Sequence, residues 1–184
     1  MAIEFPLPLV GFVAYSGTGK TTLLEQVIPE LRRMQLRVGL IKHAHHDFDI
    51  DIPGKDSWRL RQAGASQVLV ASKKRWALIT EHEARHTEPQ LRELLHQLDT
   101  ALLDLVLVEG FKHEPFPKIE LRRSELARPE LYPEDPHIIA VANDMPHSYP
   151  CPLPLLDINQ PQQIARFIIT HLLEKSPLPP RSPI

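Results

Sequence analysis

Two spacings alternate along the chain: unbroken apolar runs, and stretches in which apolar residues return every third or fourth position. The run "LVGFVA", residues 9–14, predicts a buried strand. Behind it Leu23, Leu24, Val27, Ile28 and Leu31 keep helical spacing, which predicts a helix over residues 20–34 with a kink at Pro29. "RVGLIKH", residues 37–43, predicts the second strand. A long polar loop, "AHHDFDIDIPGKD", precedes a short helix over "SWRLRQAGA" that Asp56 is placed to cap. "SQVLVAS" and "RWALIT" flank "KKR" and predict a β-hairpin. "PQLRELLHQL" predicts a helix that opens at Pro89 and turns Leu91, Leu94, Leu95 and Leu98 to one face. "LDLVLVEG" is almost wholly apolar, the kind of strand buried in a parallel sheet. "KIELRR" and "HIIAVAND" predict further strands, and "QPQQIARFIITHLLEK" a last helix with Ile164, Phe167, Ile168 and Leu172 inward. Strands that alternate with helices predict an α/β fold with a mostly parallel sheet, and a ligand at the strands' carboxyl ends.

Composition narrows the function classes. A length of 184 residues with 42% hydrophobic content suits one domain with a full core, expected over residues 1–174. The proline-rich residues 175–184 are expected to form an extended or disordered tail. Twenty-one basic residues against 23 acidic ones, a net charge of -2, give no footprint for nucleic acid or an anionic membrane surface. No apolar run approaches the ~18 residues of a membrane span, and "MAIEFPLPLV" lacks the basic start of a signal peptide. The single cysteine, Cys151, excludes an internal disulfide framework and suits a reducing compartment, so a cytoplasmic location is expected.

The strongest chemical signal lies between the first strand and the first helix. "AYSGTGKT", residues 14–21, has P-loop spacing, with Ala14 standing where the strict motif has glycine. Gly17 and Gly19 let the backbone turn its N–H groups toward a phosphate, and the helix presents its positive end there. Lys20 adds charge toward the β- and γ-phosphates, and the Thr21 hydroxyl is placed for Mg²⁺. Residues Ser16, Gly17, Thr18, Gly19, Lys20, Thr21 and Thr22 are therefore the expected phosphate cradle. A bound Mg²⁺ also wants a carboxylate at the end of a buried strand beside the loop, and Glu109 ends "LDLVLVEG". Asp104, at the other end of that strand, is the weaker candidate.

Three other stretches carry open alternatives. "IKHAHHDFDIDIPGKDS", residues 41–57, reads first as a switch-like loop in which Asp47 or Asp56 holds Mg²⁺ or positions water. A solvated polar loop comes second, and a transition-metal site at His43, His45 and His46 third. The turn with Lys73, Lys74 and Arg75 could meet phosphate or an acidic partner; spacing alone favours a charged turn that protects a hairpin edge. In "AVANDMP", Asp144 ends a strand where many GTPases read guanine, but the usual lysine is missing, and a turn-forming Asn-Asp pair explains it equally well. The residues alone give a P-loop nucleotide binder with the base left open.

"YSGTGKTTLL", "GLIKHAHHDFDIDIPGKDSWRLRQAGA", "VASKKRWALITE", "LDLVLVEGFKHE" and "IIAVANDMP" together resemble the molybdopterin-guanine dinucleotide biosynthesis adapter family, from about residue 8 to residue 173. The loop "IKHxHHDxDxDxPGKDS" carries more of that resemblance than the P-loop does. The resemblance implies a P-loop NTPase three-layer fold, GTP with Mg²⁺, and a weak GTPase in which Lys20 and Glu109 act. Carried over by position, it implies that Gly17–Thr22 hold the phosphates and Glu109 the metal, and that the loop over residues 42–57 and the turn with Arg75 line the nucleotide- or cofactor-facing cleft. Together with the residue readings above, the expected nucleotide contacts are Ser16–Thr22, Asp47, Arg75 and Asp144, and the expected metal ligands Thr21, Glu109 and Asp56. It further implies a partner, the guanylyltransferase MobA, which attaches GMP to molybdopterin, with molybdopterin itself a further candidate ligand. Finally it implies a homodimer that shares the hairpin strands over residues 67–80. Two other functions compete: a small-molecule kinase on the same P-loop, and a nickel- or zinc-insertion GTPase.

Overall fold

A computed structural model describes residues 3–44, 48–82 and 88–173. The chain divides into two compact units, one made of Met1–His43 with Gln90–Ile184 and the other of Ala44–Pro89.

The larger unit is built on a six-stranded sheet in the order β2-β5-β1-β6-β7-β8. Its strands are β1 (Leu9–Val13), β2 (Val38–Lys42), β5 (Leu105–Glu109), β6 (Lys118–Arg122), β7 (Ile138–Asn143) and β8 (Leu155–Asp157). Every pairing in this sheet is parallel. Side chains of a strand alternate between faces, so an apolar run such as "LVLVE" supplies both. Leu105 and Leu107 face one core with Val10 and Phe12. Val106 and Val108 face the other with Leu9. Helix α1 (Lys20–Arg33) covers the first face through Leu23, Leu24, Val27 and Leu31. Helix α4 (Pro161–Ile168) joins it through Ile164, Phe167 and Ile168. On the second face lies α3 (Leu91–Leu95), with Leu91 and Leu95 buried. The result is the expected three-layer α/β arrangement.

Several boundaries differ from the sequence reading, each for a local reason. α1 runs through Pro29 as one helix. α3 is one short helical segment, because the chain turns away after Leu95 and the Asp99 carboxylate caps the next turn by accepting from the Ala101 N–H at 3.0 Å. α4 passes into a wider π-helical turn over Ile169–Leu173. Strand β8 has no counterpart in the apolar pattern, being three residues long and preceded by alternating prolines.

The smaller unit contains α2 (Asp56–Gln62) and a two-stranded antiparallel sheet of β3 (Gln67–Ala71) and β4 (Trp76–Thr80). Lys55, not Asp56, stands at the helix cap; Asp56 is the first helical residue, where its charge suits the helix dipole. Arg61 of α2 reaches both Asp49 and Glu81 at 2.5 Å, and Ser57 donates to Asp51 at 2.9 Å. These contacts tie the acidic loop to the helix.

Candidate functional site

β1 ends in the middle of the sheet, and the chain leaves it through the glycine loop into α1. Gly17 and Gly19 adopt φ of 81° and 96°, the left-handed region that side chains avoid. The loop closes on itself: Thr18 donates from its hydroxyl to the Tyr15 carbonyl at 2.8 Å, and Lys20 Nζ reaches back to the Ala14 carbonyl at 3.2 Å. α1 has no side-chain cap and no acid in its first turn, so its positive end faces the loop without a resident anion. The arrangement is that of a phosphate cradle.

The register of the sheet brings the acid to the cradle. Glu109 is the in-register partner of Phe12 on one side and of Lys42 on the other. Its carboxylate is buried and accepts from the Thr21 hydroxyl at 3.0 Å. Lys42 Nζ lies 3.2 Å from Thr21 Oγ1 and 3.2 and 3.1 Å from the two carboxylate oxygens. Burial holds the Lys20 ammonium below the usual lysine pKa; Glu109 pulls it back up, and Lys42 and Lys112 press it further down. Three lysines beside one carboxylate leave a surplus of positive charge that suits a polyanion.

The donor set fits Mg²⁺. Hydroxyl and carboxylate oxygens are its preferred ligands. Octahedral ligands at about 2.1 Å from the ion stand about 3.0 Å apart, and Thr21 Oγ1 is 3.0 Å from Glu109 Oε1. The two oxygens already converge on a positive group, the Lys42 ammonium.

Other expected site residues lie as follows. Asp144 follows β7 and accepts from the Ser124 N–H at 2.9 Å and the Ser124 hydroxyl at 3.2 Å, which links the carboxyl ends of β6 and β7. Asp104 pairs with Arg37 at 2.9 Å in a buried structural bridge at the far end of β5. In the smaller unit, the Asp56 carboxylate is 98% exposed and 4.0 Å from Arg59. Arg75 closes the hairpin turn, its carbonyl accepting from the Ser72 N–H at 2.8 Å. Asp47, His45 and His46 lie outside the described residues, while His43 stacks on Phe111 with ring centroids 4.6 Å apart. Among the described residues no group of three or more His, Cys, Asp or Glu side chains converges as a metal site, and no helix is long and apolar enough to cross a membrane.

The sequence reading missed Arg123. Its Nε donates to the Thr18 carbonyl at 2.9 Å, so its guanidinium braces the P-loop from the end of β6. A Cβ on Gly19 would lie 3.4 Å from this guanidinium. Two adjacent arginines in "KIELRR" give no hint which one turns toward the loop; Arg122 instead pairs with Glu120 at 3.2 Å.

Residues 9–144 match the family model of molybdopterin guanine dinucleotide synthesis protein B, MobB. The molybdopterin-guanine dinucleotide biosynthesis adapter protein of Escherichia coli (strain K12) is 51% identical over 177 residues, 96% of this chain and 99% of that protein. The protein of the same name from Haemophilus influenzae is 50% identical over 88% of each chain. A crystal structure of molybdopterin-guanine biosynthesis protein B superposes with a TM-score of 0.67 at 25% identity, covering 88% of this chain and 98% of that one. The structure of Bacillus subtilis MobB gives 0.66 at 25% identity over 90% and 98%. The match extends through β1, the P-loop, Glu109 and the end of β7, and on it the chain belongs to the MobB family of molybdopterin guanine dinucleotide synthesis proteins.

Proposed function

We propose that this chain is a GTP-binding adapter in molybdenum cofactor biosynthesis, with slow Mg²⁺-dependent hydrolysis, assisting the guanylyltransferase MobA as it attaches GMP to molybdopterin. The observation that carries the nucleotide reading is the convergence of the Thr21 hydroxyl and the Glu109 carboxylate at the mouth of the P-loop. The names of the relatives, adapter proteins of molybdopterin-guanine dinucleotide biosynthesis, support the pathway.

In this reading the Ser16–Thr22 backbone holds the phosphates and Lys20 neutralises the β- and γ-oxygens. Thr21 and Glu109 would hold Mg²⁺, which when bound would neutralise charge on the phosphates. Glu109 keeps the metal side of the site anionic, and Arg123 holds the Thr18–Gly19 backbone in place. Asp144 takes the guanine edge, exchanging its bonds to Ser124 for donors on the base. Turnover falls far below the enzyme median of about 10 s⁻¹. The hairpin of β3 and β4 serves a homodimer: Leu69 and Trp76 are 62% and 66% exposed, and Leu78 shares their face of the hairpin.

Calorimetry with GTP and with ATP, each with Mg²⁺, tests this reading. A clear preference for GTP is expected. Equal binding, or preference for ATP with phosphorylated product, would overturn the adapter assignment in favour of a P-loop kinase.

A further inference from the structure

Lys42 is the last residue of β2, an edge strand, and its side chain is 51% exposed. Nothing about an edge strand requires a lysine to fold inward, and water is at hand to solvate the ammonium. Yet Nζ lies on three oxygens at once, Thr21 Oγ1 and both oxygens of Glu109, all within 3.2 Å. Parallel register places it there, because Lys42 and Glu109 are direct partners between β2 and β5. Lys20, the P-loop lysine, is bonded to the Ala14 carbonyl.

Thr21 and Glu109 are also the pair to which the proposed function gives the divalent cation, and the inference rests on that assignment. One seat cannot hold both cations. A divalent ion about 2.1 Å from the same oxygens would sit against Nζ, and two positive charges at such range repel strongly. We propose that Lys42 is a built-in counter-ion that closes the divalent-cation seat in the nucleotide-free protein. The seat opens when a phosphate chain arrives, because its anionic oxygens give the ammonium a new partner at the head of α1. Metal and nucleotide then bind as a unit, and free Mg²⁺ does not occupy the empty cradle.

The test uses the full chain without nucleotide and Mn²⁺ as probe, with free aqueous ion read by electron paramagnetic resonance. The wild-type protein should bind Mn²⁺ at least tenfold more weakly than Lys42→Met. Lys42→Gln, run in parallel, should show the same gain, and Lys42→Arg should behave as wild type. Adding Glu109→Gln to Lys42→Met should remove the new site. Thermal melts within a degree or two of wild type establish that each variant is folded, as expected for a half-exposed edge residue. No gain in Mn²⁺ binding on loss of the lysine charge overturns the inference, and so does a gain that survives Glu109→Gln. Nucleotide is absent throughout, so such a result leaves GTP binding untouched. Conversely, failure to bind GTP overturns the proposed function without altering the Mn²⁺ result.

Discussion

Strands β4 and β5 are equally long and similarly apolar, "WALIT" against "LVLVE", and their surroundings are opposite. Every residue of β5 is buried, whereas four of the five in β4 are exposed. β5 has a parallel neighbour on each edge, β1 and β2. β4 has one partner strand, β3. The two cases separate two uses of an apolar strand. Buried on both faces and both edges, a strand has one register, because a slip would expose its side chains. It can then deliver one polar group to a fixed point, as β5 delivers Glu109 to Thr21. A lone two-stranded hairpin is marginal in water, and its open edges and exposed apolar residues suit pairing with another chain.

The largest expected effect breaks one side of this contrast only. Lys20→Ala removes the charge at the phosphates and should reduce GTP affinity more than a hundredfold by calorimetry, with the oligomeric state unchanged. Binding equal to wild type would mean that the loop is not a nucleotide cradle. On the other side, Leu69→Lys with Trp76→Lys puts two like charges on the hairpin. Sedimentation should then show monomer where the proposed function expects wild type to be a dimer, while GTP binding persists. A dimer that survives both lysines is held elsewhere. Glu109→Gln sharpens the first side: it should lower Mg²⁺-dependent hydrolysis at least tenfold and affect binding less. An unchanged rate would take the metal role away from Glu109.

The sequence was legible where one local pattern decides the outcome. The P-loop needs only its own spacing and the periods on either side, and Glu109 is marked by the point where an apolar run stops. The hairpin is marked by two runs around a charged turn. Contacts that depend on register were not legible. Thr21 and Glu109 were joined by the P-loop pattern, but Lys42 meets them only because β2 and β5 align as they do. Arg123 is distinguished from Arg122 only by which way its side chain turns at the end of β6. β8 was invisible because three residues carry no period, and it exists because β7 offers it a parallel edge.

The smallest expected effects test whether burial is what separates the two regions. Gly11 lies in the middle of β1, and a Cβ there would come within 2.7 Å of Lys118 Cγ and 2.7 and 2.9 Å of the Phe116 ring. Phe116 and Lys118 are themselves buried, so neither can swing away into solvent. Lys118 is further held by the Glu114 carbonyl at 2.7 Å and by Asp135 at 2.5 Å. One added methyl should therefore overpack the sheet, and Gly11→Ala should cost about 1–3 kcal/mol in denaturant unfolding. Leu69→Ala removes three carbons from an exposed position of β3 and, made in a Trp76→Lys background, should change the unfolding free energy by less than about 0.5 kcal/mol. Adding one carbon inside should thus cost more than removing three outside. If Leu69→Ala is the more damaging, the hairpin's apolar face is already covered within the single chain, and its place as a dimer surface falls.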